Sequence, residues 1–131
     1  MKSLCVFAGS SDFAITPYKD EVEELAEYLV SRKISIVYGA GRVGLMGVLS
    51  EKVFTLGGNL IGVVPGYFNT KELVFDKCNS LIVTRDLQER KAIMASKADA
   101  FMVLPGGIGT LDEFAEVLAW KQARQHTKPI F

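Results

Sequence analysis

Short apolar runs alternate with amphipathic segments along this chain. The runs lack polar alternation, which is typical of strands buried on both faces of a sheet. Strands are predicted at residues 4–8, 34–38, 59–64, 80–83 and 100–104. Helices are predicted at 45–56 and 111–124, and two more open at Thr16-Pro17, with Thr16 as the cap, and at Asp86, the cap of the capping box Asp86-x-x-Glu89. The helix that opens at Thr16 has one apolar stripe, formed by Val22, Leu25, Ala26 and Leu29. Strands separated by helices predict an α/β fold, a single Rossmann-like, doubly wound parallel sheet with helices on both faces.

All 131 residues are predicted to form one domain, since a chain of this length suits a single hydrophobic core. The last four residues, Lys128-Pro129-Ile130-Phe131, look like the start of a sixth strand. A chain that ends inside an apolar strand is unusual. Either truncation at the carboxyl terminus or completion of the strand by a partner would explain it.

The most informative stretch is Pro105-Gly106-Gly107-Ile108-Gly109-Thr110-Leu111-Asp112-Glu113, which follows the fifth predicted strand. A glycine-rich turn before a helix leaves backbone N–H groups unobstructed at the positive end of the helix dipole. This geometry holds a phosphate. Glu113 places a carboxylate beside the anion, and the two features together predict a nucleotide-binding site. The turn lacks the lysine of a Walker-type loop, so we expect one phosphate without triphosphate chemistry.

The same residues have a structural alternative. Thr110-x-x-Glu113 also fits a capping box, in which Thr110 caps the helix and Glu113 bonds back to the cap N–H. Capping does not require three glycines ahead of the helix, whereas a close approach of the backbone to a ligand does favour them. We therefore favour the phosphate-binding interpretation.

A second glycine-rich turn, Gly39-x-Gly41-x-x-Gly44, matches the dinucleotide fingerprint as a pattern. That fingerprint also requires an acid at the end of the next strand, which binds the ribose. The next strand ends Val63-Val64-Pro65-Gly66 instead, so a nicotinamide cofactor is not expected. We expect both glycine turns to line one cleft, with Gly9-Ser10 as its third edge.

Arg90 and Lys91 supply positive charge on the helix that opens at Asp86. They flank an inward apolar stripe of Leu87, Met94 and Ala98. Long basic side chains often lie at such a boundary for packing alone, which is the structural alternative. Because an anion-holding turn follows the next strand, a functional Arg90 is the better interpretation.

These residues make the chain resemble the LONELY GUY (LOG) family, whose members are often labelled lysine decarboxylases. The chain matches three family elements: P-G-G-x-G-T-x-x-E at 105–113, R-K-x-x-M at 90–94, and Y-G-G-G-x-x-G-L-M-G at 38–47 with Ala40 replacing one glycine. The resemblance implies a phosphoribohydrolase that cleaves the N-glycosidic bond of a nucleoside 5′-monophosphate, AMP or a cytokinin riboside 5′-monophosphate. The products are the free base and ribose 5-phosphate. The decarboxylase label implies pyridoxal phosphate, but no Schiff-base lysine site is recognisable, so no cofactor is expected.

The resemblance also assigns roles to residues. It implies that Arg90 and Glu113 are the catalytic pair, and that Gly107, Gly109 and Thr110 hold the 5′-phosphate. The predicted substrate-binding set further includes Gly9, Ser10, Gly39, Gly41, Glu72, Lys91 and Met94. For Glu72, an ordinary solvated loop charge is an equal alternative.

Composition limits the partners. Fifteen basic and fifteen acidic residues cancel, so no global field recruits nucleic acid or an anionic membrane. Cys5 and Cys78 fit neither a disulfide framework nor the spacing of metal ligands, so we expect no metal and a reducing cytoplasm.

The last predicted helix is apolar on more than one side. Leu111, Phe114 and Leu118 form one stripe, and Val117 and Trp120 lie off it. A helix apolar over so much of its circumference is buried twice, first on the sheet and then on a partner. The family resemblance makes that partner a second copy, so a homodimer is predicted.

Two other functions stay open. A non-catalytic nucleotide-binding module of the same fold would bind AMP without cleaving it. A structural or interaction protein with a vestigial site is supported only by the early carboxyl end. The intact Arg90 and Glu113 favour the enzyme, while the preferred base, adenine or an N6-substituted adenine, is not fixed by these residues.

Overall fold

The computed structural model describes residues 1–12 and 15–131, in which strands and helices alternate. The elements are β1 Ser3–Phe7, α1 Ile15–Ser31, β2 Ser35–Tyr38, α2 Gly44–Thr55, β3 Leu60–Pro65, β4 Ser80–Thr84, α3 Leu87–Lys97, β5 Ala100–Val103 and α4 Ile108–Gln122. The predicted α/β class is confirmed. The largest difference in a boundary is at α4, which begins at Ile108, ahead of the predicted start at Leu111.

Five parallel strands form one sheet in the order β4-β3-β2-β1-β5. In the register, Cys5 of β1 lies between Val37 of β2 and Phe101 of β5. The chain winds from β1 outwards to β4 and then crosses back to place β5 on the other side of β1. A sheet of this kind binds ligands at the carboxyl ends of the strands where the order reverses, here β1 and β5.

The two faces of the sheet are covered by different helices, as the doubly wound arrangement requires. Leu4 and Val6 of β1 pack in the core with α1 and α2. Cys5 and Phe7 pack in the core with α3 and α4. All four side chains are buried, which explains why the strand shows no polar alternation.

Helix α1 begins at Ile15, so Thr16 and Pro17 lie inside its first turn and Thr16 is not the predicted cap. A proline is tolerated there because the first N–H groups of a helix have no intrahelical partner. The predicted apolar stripe is confirmed, with Val22, Ala26 and Leu29 buried against the sheet. No helix in the described ranges is both long and apolar enough to cross a membrane.

The carboxyl-terminal residues lie beside β5 at the edge of the sheet. Phe101 N–H donates to the Pro129 carbonyl, and Phe131 N–H donates to the Phe101 carbonyl, both at 2.9 Å. Ile130 forms a parallel bridge with Phe101. Residues 129–131 therefore occupy the position predicted for the start of a sixth strand.

Between β3 and β4, residues 66–79 fold back over the carboxyl end of β2. Phe75 N–H donates to the Ala40 carbonyl at 2.9 Å, and Val74 forms an antiparallel bridge with Gly41. Val74 and Phe75 are buried. This irregular segment thereby becomes a wall at the same edge of the sheet as the glycine turns.

Candidate functional site

At the glycine turn before α2, other groups of the protein bind the N–H groups at the start of the helix. Gly44 N–H donates to Asp12 Oδ1 at 3.0 Å, and Met46 N–H donates to the Gly9 carbonyl at 3.3 Å. Gly44 has a φ of 65°, and a Cβ there would collide with the Gly9 carbonyl. Asp12 thus takes the position that a pyrophosphate takes in a dinucleotide site, which argues against dinucleotide binding at this turn.

The turn before α4 is open instead. Gly107 is the N-cap residue of α4, and it makes no side-chain cap bond. The capping-box alternative is therefore wrong, because Thr110 lies within the first helical turn and is buried there. Residues 105–109 are exposed, and the first N–H groups of a helix have no intrahelical partner. An open N-terminus at the positive end of the helix dipole is suited to binding an anion.

Gly107 and Gly109 are not explained by packing. A Cβ built on either residue would meet no protein atom within 4 Å, and neither residue has a positive φ. Gly106 differs, because a Cβ there would collide with the Thr110 side chain. The fold thus requires glycine at 106 but not at 107 or 109. A ligand resting on the turn would account for both, since a backbone without side chains permits its close approach.

The guanidinium of Arg90 is fixed at the carboxyl ends of β2 and β3. Its Nε donates to the Val63 carbonyl at 2.9 Å and its Nη2 donates to the Gly39 carbonyl at 2.6 Å. A Cβ on Gly39 would collide with this guanidinium, so the glycine after β2 makes room for it. Burial lowers the pKa of Arg90 while the charge of Glu113 raises it. Arginine stays protonated in proteins, so Arg90 supplies a permanent cation.

Glu113 lies in the second turn of α4, partly buried beside this cation. Burial raises its pKa to about 7, against a lowering effect of Arg90 and a raising effect of Asp112. Within the described residues Arg90 and Glu113 form no ion pair at 4.0 Å or less, yet their charges act on each other. A carboxyl that titrates near neutral pH beside a fixed cation is typical of acid–base sites.

Lys91 and Met94 have other contacts than those predicted. The Lys91 ammonium is 2.9 Å from Asp112 Oδ2 and 3.5 Å from Glu116 Oε2, and it joins α3 to α4. Met94 is fully buried in the core between α3 and the sheet. These contacts do not support the substrate-binding roles predicted for the two residues, because one side chain is used in ion pairs and the other in packing.

A cavity of about 230 Å³ opens beside Arg90. Four predicted site residues line it: Ser10, Gly39, Gly41 and Arg90. Its other walls are apolar and consist of Val43, Met46, Val64, Phe68, Leu73 and Val74. An apolar cavity with a cation in its wall suits a heterocycle that carries a polar substituent.

The open turn adjoins this cavity through the loop after β1. Gly9 N–H donates to the Pro105 carbonyl at 3.1 Å, and the next residue, Ser10, lines the cavity. In the described part of the chain, Glu113 and residues 107–110 are not in the cavity wall. The cavity and the open turn are therefore two neighbouring parts of one edge of the sheet. Glu72 lies exposed next to the lining residue Leu73.

Several residues of the site were missed from the sequence. Met46 belongs to the Leu45-Met46-Gly47 stretch of a quoted family element, so the motif could have indicated it. Phe68 and Leu73 lie in the irregular segment 66–79, where no periodicity marks them. Asp12 caps a helix 32 positions further along the chain, a contact that no local pattern reveals.

Curated plant proteins are similar to this chain over almost its whole length. It is 43% identical over 129 residues to the Arabidopsis thaliana protein named cytokinin riboside 5′-monophosphate phosphoribohydrolase LOG5 and 45% identical to that named LOG1. It is 44% identical to the Oryza sativa subsp. japonica protein named probable cytokinin riboside 5′-monophosphate phosphoribohydrolase LOGL3. Each alignment covers 98% of this chain but only 57%, 61% and 61% of the respective relative.

Solved structures share the fold. The molybdenum cofactor carrier protein of Chlamydomonas reinhardtii is similar with a TM-score of 0.78 and 25% identity, over 98% of this chain and 73% of that chain. The molybdenum cofactor binding protein of Rippkaea orientalis is similar with a TM-score of 0.76 and 24% identity, over 99% and 75%. At 24% identity, the similarity to the Rippkaea orientalis protein shows the fold alone.

The family model described as "Possible lysine decarboxylase" matches residues 46–131. A pyridoxal phosphate decarboxylase needs a lysine whose amine forms a Schiff base with the cofactor. A lowered pKa of that lysine favours the reaction, because the neutral amine is the nucleophile. Lys91 does not fit this role. Burial acts to lower its pKa, but the ion pairs with Asp112 and Glu116 raise it overall. Lys91 thus lacks the readily deprotonated amine that the chemistry of this cofactor requires.

The family match and the curated relatives agree on one assignment. The matched residues 46–131 make up most of the chain and include Arg90, Glu113 and the open turn before α4. The resemblance predicted from the three sequence elements is confirmed. The chain belongs to the LONELY GUY (LOG) family, whose family model carries the description "Possible lysine decarboxylase".

Proposed function

We propose that the protein hydrolyses the N-glycosidic bond of a nucleoside 5′-monophosphate, AMP or a cytokinin riboside 5′-monophosphate, to the free base and ribose 5-phosphate. One observation carries the proposal: an open helix N-terminus lies next to a carboxyl of near-neutral pKa and a fixed arginine. The names of the plant relatives support the substrate class.

The substrate is proposed to lie along the edge of the sheet, with residues 1–131 acting as one nucleotide-binding domain. Its phosphate rests on the turn of Gly107, Gly109 and Thr110, and its base enters the apolar cavity beside Arg90. Gly9, Ser10, Gly39 and Gly41 form the floor between them, and Glu72 stays a predicted contact at the rim. Binding energy from the phosphate then orients the scissile bond.

Breaking the bond between C1′ and the base nitrogen develops positive charge on the sugar, as in glycoside hydrolysis. The electron pair of this bond leaves with the base, and water oxygen bonds to C1′. Ionised Glu113 stabilises the positive sugar and accepts a proton from the water. This proton then passes, through solvent, to the departing base, which gives the neutral free base and restores the carboxylate. Arg90 holds the substrate and balances the carboxylate, because a permanently protonated group is a poor proton donor.

We propose a homodimer formed through the outer face of α4. Val117 of this helix is 1% exposed in the core, whereas Ile108, Leu111 and Leu118 are 81%, 56% and 47% exposed. These exposures support the predicted second apolar face of the helix. Because α4 begins at the open turn, the interface would lie near the site.

The free thiols of Cys5 and Cys78 fit the cytoplasmic location that we propose.

A non-catalytic binding module is the second candidate function. A fold relative at 25% identity is named a molybdenum cofactor carrier protein, a name that describes binding and not hydrolysis. Arg90 and Glu113 favour the enzyme, since binding alone does not need a carboxyl with a raised pKa beside a cation.

A panel of nucleoside monophosphates tests the reaction. We expect release of free base and ribose 5-phosphate, detected by chromatography, and a loss of about 10²–10⁴-fold in the rate for Glu113→Gln with AMP binding retained. Glu24→Gln, an exposed acid on α1, is the matched control and should keep the wild-type rate. Normal turnover by Glu113→Gln would disprove its role, and AMP binding without cleavage by the wild type would favour the binding module.

Gly109→Asp tests the phosphate position. The new side chain has space, and a negative charge in the first turn stabilises α4 by about 0.3–1 kcal/mol. The same charge repels the phosphate, so AMP affinity should fall by about tenfold or more, towards that of adenosine. Calorimetry and thermal unfolding measure the two effects, and Gly109→Asn is the uncharged control. Unchanged AMP affinity in Gly109→Asp places the phosphate elsewhere.

Glu113→Gln should also change stability in a pH-dependent way. The pKa of Glu113 is about 7 in the folded protein against an ordinary value of 4.5, so ionisation destabilises the fold as pH rises through this window. The variant should therefore unfold at a higher temperature than the wild type above pH 7, and the difference should vanish below the ordinary pKa. A difference in unfolding temperature that is constant with pH would show that burial does not raise the pKa of Glu113.

Sedimentation tests the dimer. At micromolar concentration the wild type should sediment as a dimer, and Leu111→Lys or Leu118→Lys should produce folded monomers, because each places a charge in the apolar face of α4. Leu56→Lys, at a leucine 41% exposed after α2, is the control that should stay dimeric. A wild-type monomer removes the proposal.

A further inference from the structure

The two proposed catalytic residues have neighbours that are bound to each other. Lys91 follows Arg90 on α3, and Asp112 precedes Glu113 on α4. Successive residues on a helix point about 100° apart. Arg90 can therefore reach the strand carbonyls while Lys91 reaches across to α4, where its Nζ lies 2.9 Å from Asp112 Oδ2.

This ion pair is unusual among those of the described residues because its cation is buried. Lys91 is 8% exposed, and a second carboxylate, that of Glu116, lies 3.5 Å from its Nζ on the next turn of α4. A partly desolvated pair with two acceptors is held more firmly than an exposed surface pair. The contact therefore ties the second turn of α3 to the second turn of α4.

We propose that Lys91 is a positioning residue for the hydrolysis: its ion pair with Asp112 holds Arg90 and Glu113 in place and sets the charge beside Glu113. The role in turnover rests on the proposed function. The effect of the pair on Glu113 does not, because it is a property of the protein without substrate.

The titratable groups that face Glu113 come from three elements. Arg90 and Lys91 on α3 lower its pKa, and Asp112 on α4 raises it. The Cys5 thiol of β1 faces it too, but burial raises the pKa of that thiol and keeps it neutral. The two members of the ion pair thus act on Glu113 in opposite directions, so removing either one breaks the same contact with opposite electrostatic consequences.

Lys91→Met and Asp112→Asn test this role. Lys91→Met removes a cation and leaves Asp112 unpaired, so the pKa of Glu113 should rise by about half a unit to one unit. Asp112→Asn removes an anion and should lower it by a similar amount. The double variant Lys91→Met/Asp112→Asn should return the titration close to that of the wild type.

Two readouts separate this inference from the proposed function. The titration of the Glu113 carboxyl by ¹³C NMR needs no turnover, and the acidic limb of the kcat/KM profile should move by the same amounts. Lys52→Met is the matched control, since Lys52 pairs with Glu27 at 3.0 Å between α2 and α1 on the other face of the sheet. Lys91→Arg keeps the charge and should keep the wild-type titration.

Opposite shifts in the two single variants support the positioning role. Equal losses of activity with an unmoved Glu113 titration would overturn it and leave Lys91 a purely structural tie. If the wild type cleaves no nucleotide while the opposite shifts are present, the proposed function fails and the influence of the ion pair on Glu113 stands.

Discussion

The guanidinium of Arg90 is the interaction on which the site depends. It is bonded to the carbonyls of Gly39 and Val63, so two neighbouring strands and α3 meet at one cation. The carbonyls at the ends of parallel strands need hydrogen-bond donors, and a buried cation needs acceptors. The bonds between Arg90 and the two carbonyls satisfy both requirements. The apolar cavity and the glycine after β2 lie around this charge, and it lowers the pKa of Glu113 against the larger, raising effect of burial.

Much of the architecture follows from local patterns. Continuous apolar runs identify strands buried on both faces, and the Asp86 cap was predicted correctly, since its Oδ1 accepts from Glu89 N–H at 2.8 Å. The start of α4 was placed too late because Thr110 resembled a cap, whereas Gly107 begins the helix without any side-chain bond. Glycine carries no side chain whose pattern could mark this boundary.

The site was predictable where motifs are local and not where contacts are distant. Arg90, Glu113 and the glycine turns stand out as chemistry in the sequence itself. Lys91 and Met94 belong to the same family element as Arg90, yet Lys91 forms an ion pair and Met94 packs in the core. Which side of a helix faces a neighbouring helix depends on tertiary packing, and a single motif does not contain that information.

Asp12 gives the fold an asymmetry with a chemical consequence. The N-terminus of α2 already has an anionic partner in the Asp12 carboxylate, whereas the N-terminus of α4 has no side-chain cap bond. Under the proposed function, a single phosphate at α4 avoids the Asp12 carboxylate, whereas a second phosphate at α2 would meet a negative charge already in place. If the substrate lies as proposed, the Asp12 side chain thus favours a molecule with one phosphate over one with a pyrophosphate.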